Sequence, residues 1–459
     1  MALKEHKYAL GIDIGTSKIC VVVFDIDLLQ VVATFATQNT TTLDLQSTPA
    51  HHEQDPEDIW RICISLIKQI PKNLLDIRSI SITGQMHGLL LLDEQHEPRT
   101  NFITWRDGRQ PKSFGTTDYR AQNGCSIQTG YGANTLLALK ESGFLEDEGS
   151  TVCSITSFIM GRLCGDYRTD DSMAASFGLY SLEVKNWNTT QITDLGLSLS
   201  LFDTIIPSCT PVAPLRGDVA ADLGLPENTI VYAPLGDNQA SVLGSTGFLT
   251  AGVVNIGTGG QISIPSASLK EAASVEIRPL CDFGFLRVYS SLCGGWAYVY
   301  LKDFCKDLLL QFGIQFSDSE IYTILDNLVV EQQGKREDLV VDTRFLGTRN
   351  DPSTLGSITQ IHTNNFNITA LASAFVRGIV SELHHPEISN ISIDFMIASG
   401  NAVRKSPVMR TFIEEEFGCS CMLPPFMEEA CVGSIIACIA HEEGQERIKR
   451  FYSNHFKAY

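Results

Sequence analysis

Positive charge is scarce in this chain: 34 lysines and arginines stand against 53 aspartates and glutamates in 459 residues, a formal net charge of −19. A surface that grips nucleic acid or an anionic membrane needs a basic face, so neither partner is expected. One bound nucleotide needs only local charge and stays open. Long apolar runs are missing too. The longest uncharged apolar stretch, Ala430 to Ala440, is well short of the roughly 20 residues of a membrane span. No long apolar leader precedes the first strand near residue 8, and a cytoplasmic protein is expected. The thirteen cysteines are scattered, and only Cys419 and Cys421 are close. One Cys-x-Cys without a second pair is a poor metal signal, so buried, reduced thiols are the reading. No Gly-x-x-x-x-Gly-Lys-Ser/Thr motif occurs, which excludes a Walker-type phosphate loop. There is no low-complexity tract, no short-period repeat, and no linker rich in Gly, Ser or Pro.

What is present is a long-range repeat. Asp13-Ile14-Gly15-Thr16 returns 242 positions later as Asn255-Ile256-Gly257-Thr258, each time between apolar runs. The first copy reads Tyr8 to Ile12, the turn Gly15-Thr16-Ser17-Lys18, then Ile19 to Val23. The second reads Val253-Val254, the turn Gly257-Thr258-Gly259-Gly260, then Ile262 to Ile264. β-Branched runs bounded by Gly are strand-turn-strand units. Such turns expose backbone N–H groups and a hydroxyl, the donors that hold phosphate oxygens. Either copy alone reads as an ordinary hairpin; together they suggest a duplicated fold with two facing loops. The aspartate in only one copy then fits the cation that accompanies a polyphosphate, held through water because magnesium keeps much of its hydration shell. Asp13 is the candidate for that ion, and Thr16, Ser17, Lys18 and Thr258 are candidate phosphate contacts.

The length suits two domains of roughly 200 residues each. Ile59, Ile62, Cys63, Leu66, Ile67 and Ile70 follow the acidic start Asp55-Pro56-Glu57-Asp58 at helical spacing, which predicts an amphipathic helix over 56–70. Strands are expected at Ile80 to Ile82, Leu89 to Leu92 and Val231 to Ala233, with helices between, hence α/β layers. The boundary falls in Gly236 to Gly252, dividing the chain into 1–244 and 245–459. A further strand, Ile393 to Ala398, leads into Ser399-Gly400-Asn401-Ala402. After it a helix is expected with Ser406 as N-cap, Pro407 first and Gly418 at its end.

Asp237, in Gly236-Asp237-Asn238-Gln239-Ala240, sits where a loop enters a helix at that boundary. It reads either as a helix N-cap or as a carboxylate facing a shared cleft, placed to act as a general base. Gln85, His87, Trp105, Arg106 and Asp107 cluster beside glycines and suit an acceptor with several hydroxyls and one aromatic wall. Their bland readings are a loop histidine, a core tryptophan and a solvated ion pair.

Asp13 to Ser17, Gly84-Gln85-Met86-His87-Gly88, Trp105-Arg106-Asp107-Gly108-Arg109, Gly236 to Ala240, Ile256 to Gly260 and the Gly400 loop together resemble, in order and spacing, the FGGY carbohydrate kinases. The resemblance spans essentially the whole chain, and the Gly-Gln-Met-His-Gly and Trp-x-Asp-Gly-Arg pair is of the ketose-kinase kind. It implies an actin-like, two-domain ribonuclease-H fold with ATP and sugar in the interdomain cleft. On that resemblance Asp237 is the base and Asp13 lies by magnesium. Gln85, Met86, His87, Gly88, Trp105, Arg106, Asp107 and Asn238 belong to the sugar site. Gly15, Thr16, Ser17, Lys18, Gly257, Thr258, Gly259, Gly260, Gly294, Gly400 and Asn401 surround the nucleotide. Two departures stand out: Gly259 replaces a frequent Ser, and Ala398-Ser399-Gly400 replaces a run of glycines, two side chains that would narrow the nucleotide pocket. The implied activity is ATP-dependent phosphorylation of the terminal primary hydroxyl of a ketose, sedoheptulose first, with xylulose or ribulose as rivals. From other classes, the rivals are a non-catalytic sugar- or nucleotide-binding regulator and an actin-like assembly protein.

Overall fold

The computed structural model describes residues 7–45, 48, 50–111, 127–145, 149–269, 275–332, 338–348, 351, 353–389, 391, 393–400, 403–404 and 406–457. Both repeated motifs form antiparallel hairpins: Tyr8–Ile14 with Lys18–Asp25, and Ala251–Ile256 with Gly260–Ser266. Each hairpin nucleates a mixed sheet of the same design. In the first, Gln30–Gln38 extends the hairpin antiparallel, while Ile77–Gly84 and then Ile230–Tyr232 join in parallel on the other side. In the second, Phe285–Ser291 extends the hairpin, and Phe395–Ser399 and Cys421–Met422 add in parallel. The parallel strands carry their following loops to the same end as the hairpin turns. Gly84 pairs with Ile14, and Ser399 pairs with Asn255.

The strands read as continuous apolar runs because both faces are covered. Ile19, Val21 and Val23 face one core with Ile59, Cys63 and Leu66 of the helix Pro56–Ile67. Their alternates Cys20, Val22 and Phe24 face a second core, shared with Val253, Val288 and Ile397 of the other sheet and with Val432, Ile435 and Ile436. Outside the second sheet, Val254, Ile256 and Ile262 pack on Ala372, Phe375 and Val376 of the helix Ile368–Leu383. The result is the duplicated fold expected from the repeat, in the two-domain, actin-like α/β architecture that the family resemblance implies.

Two helices lie between the sheets, Asp237–Thr246 and Glu429–Glu443. They cross backbone to backbone. A Cβ on Gly433 would stand 1.7 Å from the Ala240 carbonyl oxygen, and one on Gly244 would stand 1.9 Å from that of Glu429. Ser434 Oγ also meets Ser81 Oγ at 2.9 Å, tying the Glu429 helix to the first sheet.

Local signals carry through with small corrections. Asp55 caps the first helix by accepting from Glu57 and Asp58 N–H, but the helix ends at Ile67 rather than 70, because the chain turns ahead of Pro71. Ser406 accepts from the Met409 N–H, Pro407 opens the next helix, and Gly418 closes it at φ 67°. No helix among the described residues is long and apolar enough to cross a membrane.

Candidate functional site

The first hairpin turn, the loop after Gly84, the strand ends at Asn255 and Ser399 and the start of the Asp237 helix converge on a cavity of about 360 Å³. Asp13, Gly15, Thr16, Met86, His87, Trp105, Asp237 and Asn238 line it from the first half. Asn255, Gln261, Ser263, Arg278 and Ser399 line it from the second.

Asp237 is not the helix N-cap. Gly236 takes that position, and Asp237 is the first helical residue, its carboxylate accepting from the Asn238 N–H. Burial pushes its carboxyl up to about 6, with the Arg278 guanidinium pulling the other way. It therefore remains largely ionised at neutral pH. Asp13 is pushed further, to about 8, by burial and then by the charge of Asp237. Its Oδ1 is buried without a hydrogen-bond partner. An orphaned carboxylate oxygen beside a second carboxylate is a place where a divalent cation restores the charge balance, so the donor set fits magnesium held by one protein ligand and water. Among the described residues no group of three or more His, Cys, Asp or Glu side chains forms a fuller metal cage.

The sugar-side residues fall into two layers. Trp105 is 42% exposed, a wall rather than a core filler. Its Nε1–H donates to Thr16 Oγ1 at 2.8 Å, and that hydroxyl donates to Gln85 Oε1 at 3.1 Å. Gln85 is buried behind this pair, its Nε2 donating to Gln54 Oε1 at 2.8 Å, so it holds Thr16 instead of lining the cavity. His87 adopts φ 72°, stacks on Tyr131 with ring centroids 4.2 Å apart, and places Nδ1 2.9 Å from the Ser176 carbonyl oxygen. A carbonyl only accepts, which puts the ring proton on Nδ1.

Asp107 and Arg106 are not a solvated pair. The Asp107 carboxylate is buried and taken up by Arg109 Nε at 2.6 Å and the His52 N–H at 2.8 Å, a brace behind the loop. Arg106 instead lies over the Trp105 ring at 5.2 Å. Gly88 is outside the cavity too: a Cβ there would stand 2.5 Å from the Ile103 carbonyl oxygen.

On the nucleotide side the cavity gathers Gly15 and Thr16 but not the rest of the first turn. Ser17 is exposed, and Lys18 Nζ forms an ion pair with Glu428 at 2.6 Å. Gly257, Thr258, Gly259 and Gly260 form the second turn beyond the lining, with Gly294 pressed on it. A Cβ on Gly294 would stand 2.3 Å from the Gly259 carbonyl carbon. Gly400 has φ 89°, and a Cβ there would meet Asn255 Oδ1 at 2.6 Å. Of the two side chains expected to narrow this region, only Ser399 reaches the cavity; Ala398 is buried in the outer core. Asn401 lies outside the described residues.

Sequence reasoning missed Arg278, Gln261 and Ser263. Arg278 is 5% exposed; its NH1 donates to Asn238 Oδ1 at 3.0 Å and its NH2 pairs with Glu276 at 2.7 Å. Asn238 Nδ2 donates in turn to Gln261 Oε1 at 2.7 Å and Ser263 Oγ at 3.1 Å. The available signal was alternation: Gln261 and Ser263 share the face opposite Ile262 and Ile264, polar positions inside an apolar strand.

Residues 8–244 match the N-terminal domain of the FGGY family of carbohydrate kinases. Sedoheptulokinase of Mus musculus is 25% identical over 445 residues, covering 89% of this chain and 92% of the mouse protein. Xylulose kinase of Bacillus subtilis is 29% identical over 269 residues, 56% of this chain and 53% of that protein. Among solved structures, xylulose kinase from Rhodospirillum rubrum superposes with a TM-score of 0.84 at 19% identity, over 96% of this chain and 92% of that one, which bears on the fold alone. With the family's N-terminal domain matched across more than half of its length, and the duplicated fold continuing beyond it, this chain belongs to the FGGY family of carbohydrate kinases.

Proposed function

We propose that the protein transfers the γ-phosphoryl group of ATP to the terminal primary hydroxyl of a ketose, sedoheptulose first among candidates, giving sedoheptulose 7-phosphate for the pentose phosphate pathway. The observation that carries this reading is Asp237: an ionisable carboxylate at a helix start, opening on a cavity that Asp13 and Thr16 share with the polar side chains of both halves. Sedoheptulose is placed ahead of xylulose, ribulose and gluconate because the mouse and human sedoheptulokinases each align over 89% of this chain.

In this mechanism the sugar lies against Trp105 and His87, with its terminal hydroxyl directed at Asp237. The hydroxyl oxygen attacks the γ-phosphorus in line, its proton passes to the Asp237 carboxylate, and the bond to the ADP oxygen breaks. The backbone N–H groups of the hairpin turns stabilise the charge on the transferring group. Arg278 keeps the base charged and fixes the Asn238 amide beside it. Asp13 would hold magnesium, which would supply neutralisation of the polyphosphate charge. Closure of the two halves excludes water, which would otherwise accept the phosphoryl group.

The test is ADP release from magnesium-ATP with sedoheptulose, xylulose, ribulose, gluconate and glycerol side by side. The highest kcat/KM with sedoheptulose supports the full reading. A preference for another ketose keeps the chemistry and moves the substrate. No turnover with any of them from folded protein refutes the kinase reading in favour of a binding protein.

A further inference from the structure

Behind the cavity lies a buried helix of one and a half turns, Asp171–Ser176, whose composition gave no functional signal. Its serines 172 and 176 are four residues apart and so share a face. Both are at most 1% exposed. Each hydroxyl has its one proton committed within the helix's own neighbourhood: Ser172 Oγ–H to the Asp170 carboxylate, Ser176 Oγ–H to the Met173 carbonyl oxygen at 2.8 Å. Each is thereby turned to offer a lone pair outward, and each takes the backbone N–H of a different loop. Ser172 Oγ accepts from Gly236 N–H at 2.8 Å, the residue immediately before Asp237. Ser176 Oγ accepts from His87 N–H at 3.0 Å, while the Ser176 carbonyl holds the same residue's Nδ1. The left-handed φ of His87 is unusual for a residue with a side chain, and these two bonds to one serine hold it there.

The helix is itself anchored. Asp170 caps it by accepting from Ser172 and Met173 N–H, and also accepts from Ser208 Oγ at 2.8 Å. On its other side Ala174 and Ala175 pack against Ile277, next to Arg278.

We propose that Ser172 and Ser176 are positioning residues that set the distance between base and sugar: Ser172 through the peptide ahead of Asp237, Ser176 through His87. This rests on the kinase reading above. A displacement of about 1 Å at a reacting group is worth up to ~10²-fold in rate, so the two serines act on different kinetic parameters. Loss of the Ser172 hydroxyl displaces the base and lowers kcat. Loss of the Ser176 hydroxyl loosens His87 and raises the KM for sugar.

The experiment compares Ser172→Ala and Ser176→Ala with wild type, using sedoheptulose and the preferred sugar of the panel. Ser172→Ala is expected to lower kcat ~10- to 100-fold with KM within about twofold; Ser176→Ala is expected to raise KM about tenfold with kcat within about threefold. A shift of the same parameter in both variants, or of neither, overturns the proposal. Amide exchange provides a readout independent of turnover: Ser172→Ala should accelerate exchange in the peptide containing Gly236 and leave that containing His87 protected, and Ser176→Ala should do the reverse. Uniform acceleration in both peptides would mean that the helix only stabilises the fold, and would also overturn the proposal. Should either alanine variant not fold, Ser172→Cys and Ser176→Cys, which fill the site with a slightly larger atom and a poorer acceptor, must show the same division with smaller factors. A wild type inert towards every sugar would remove the kinase reading, while the exchange pattern would still decide whether the helix holds the two loops separately.

Discussion

Replacing Gly433 with alanine tests whether the crossing of the two central helices aligns the site. The added Cβ would lie 1.7 Å from the Ala240 carbonyl oxygen, a backbone atom with no side-chain freedom to yield. Real Cβ contacts essentially never fall under 3.0 Å and are ordinary from 3.4 Å, so the helices must part by about 1.3 to 1.7 Å. Overpacking of a tight core typically costs about 1–3 kcal/mol. With backbone on both sides the upper end applies, about 3 kcal/mol, which lowers the melting temperature by a few degrees in a chain of this size. Ala240 is three residues from Asp237 on the same helix, so the displacement reaches the base. A misplacement of ~1 Å costs on the order of 10²-fold in turnover. Thermal melting and ADP release are measured together on Gly433→Ala and on Gly217→Ala, whose Cβ meets nothing within 4 Å at the start of a surface helix. The control should be neutral or slightly stabilising. Unchanged melting and unchanged kcat in Gly433→Ala would refute the claim that this crossing is rigid and sets the position of Asp237.

Further expectations concern single side chains. Asp237→Asn should lower kcat by about 10² to 10⁴ while calorimetry still detects sugar binding; near-normal turnover would remove Asp237 from the base role. Arg278→Met takes the guanidinium from Glu276 and the donor from Asn238 Oδ1. A loss of about 3 kcal/mol in stability is expected, together with a rise in sugar KM that steady-state kinetics would report. Burial, then the neighbouring Asp171, pushes Asp170 up to about 7. The unfolded chain therefore gives up this proton near pH 4 while the folded protein keeps it, and stability from this group declines as pH rises from about 4 to 7. Asp170→Asn, which can keep the capping acceptor, should gain on wild type in denaturant midpoint across that window; parallel pH profiles would show that Asp170 is not protonated in the fold.

The site was partly legible and partly not, for reasons that differ by residue. Asp13, Thr16, His87, Trp105 and Asp237 stood within short glycine-containing segments at the ends of apolar runs, a local signal, and all five line the cavity. Gln85, Asp107 and Lys18 carried the same signal, yet their side chains turn to Gln54, Arg109 and Glu428, partners 31 residues, two residues and 410 residues away. The direction of Gln85 and Lys18 depends on partners distant in the chain, which no local pattern records, whereas the Asp107–Arg109 pair lies within the loop itself. Arg278 was missed because a charged residue in a short strand reads as solvent-facing until the other half of the molecule covers it.

Local pattern was enough for the elements: β-branched runs interrupted by Gly turns make hairpins whichever partners they find, caps and prolines bound helices, and a duplicated motif yields a duplicated sheet. Which sides of those elements face one another follows from long-range packing. The Glu429 helix, last but one in the chain, lies between the sheets and packs on the first strands, a contact spanning over 400 residues, with Gly433 and Gly244 letting it approach the Asp237 helix backbone to backbone. That crossing brings Asp237 to Asp13 and to Arg278. It also places the short serine-bearing helix where both loops of the cavity can hang from it, through hydrogen bonds that depend on proximity in space and leave no period in the sequence.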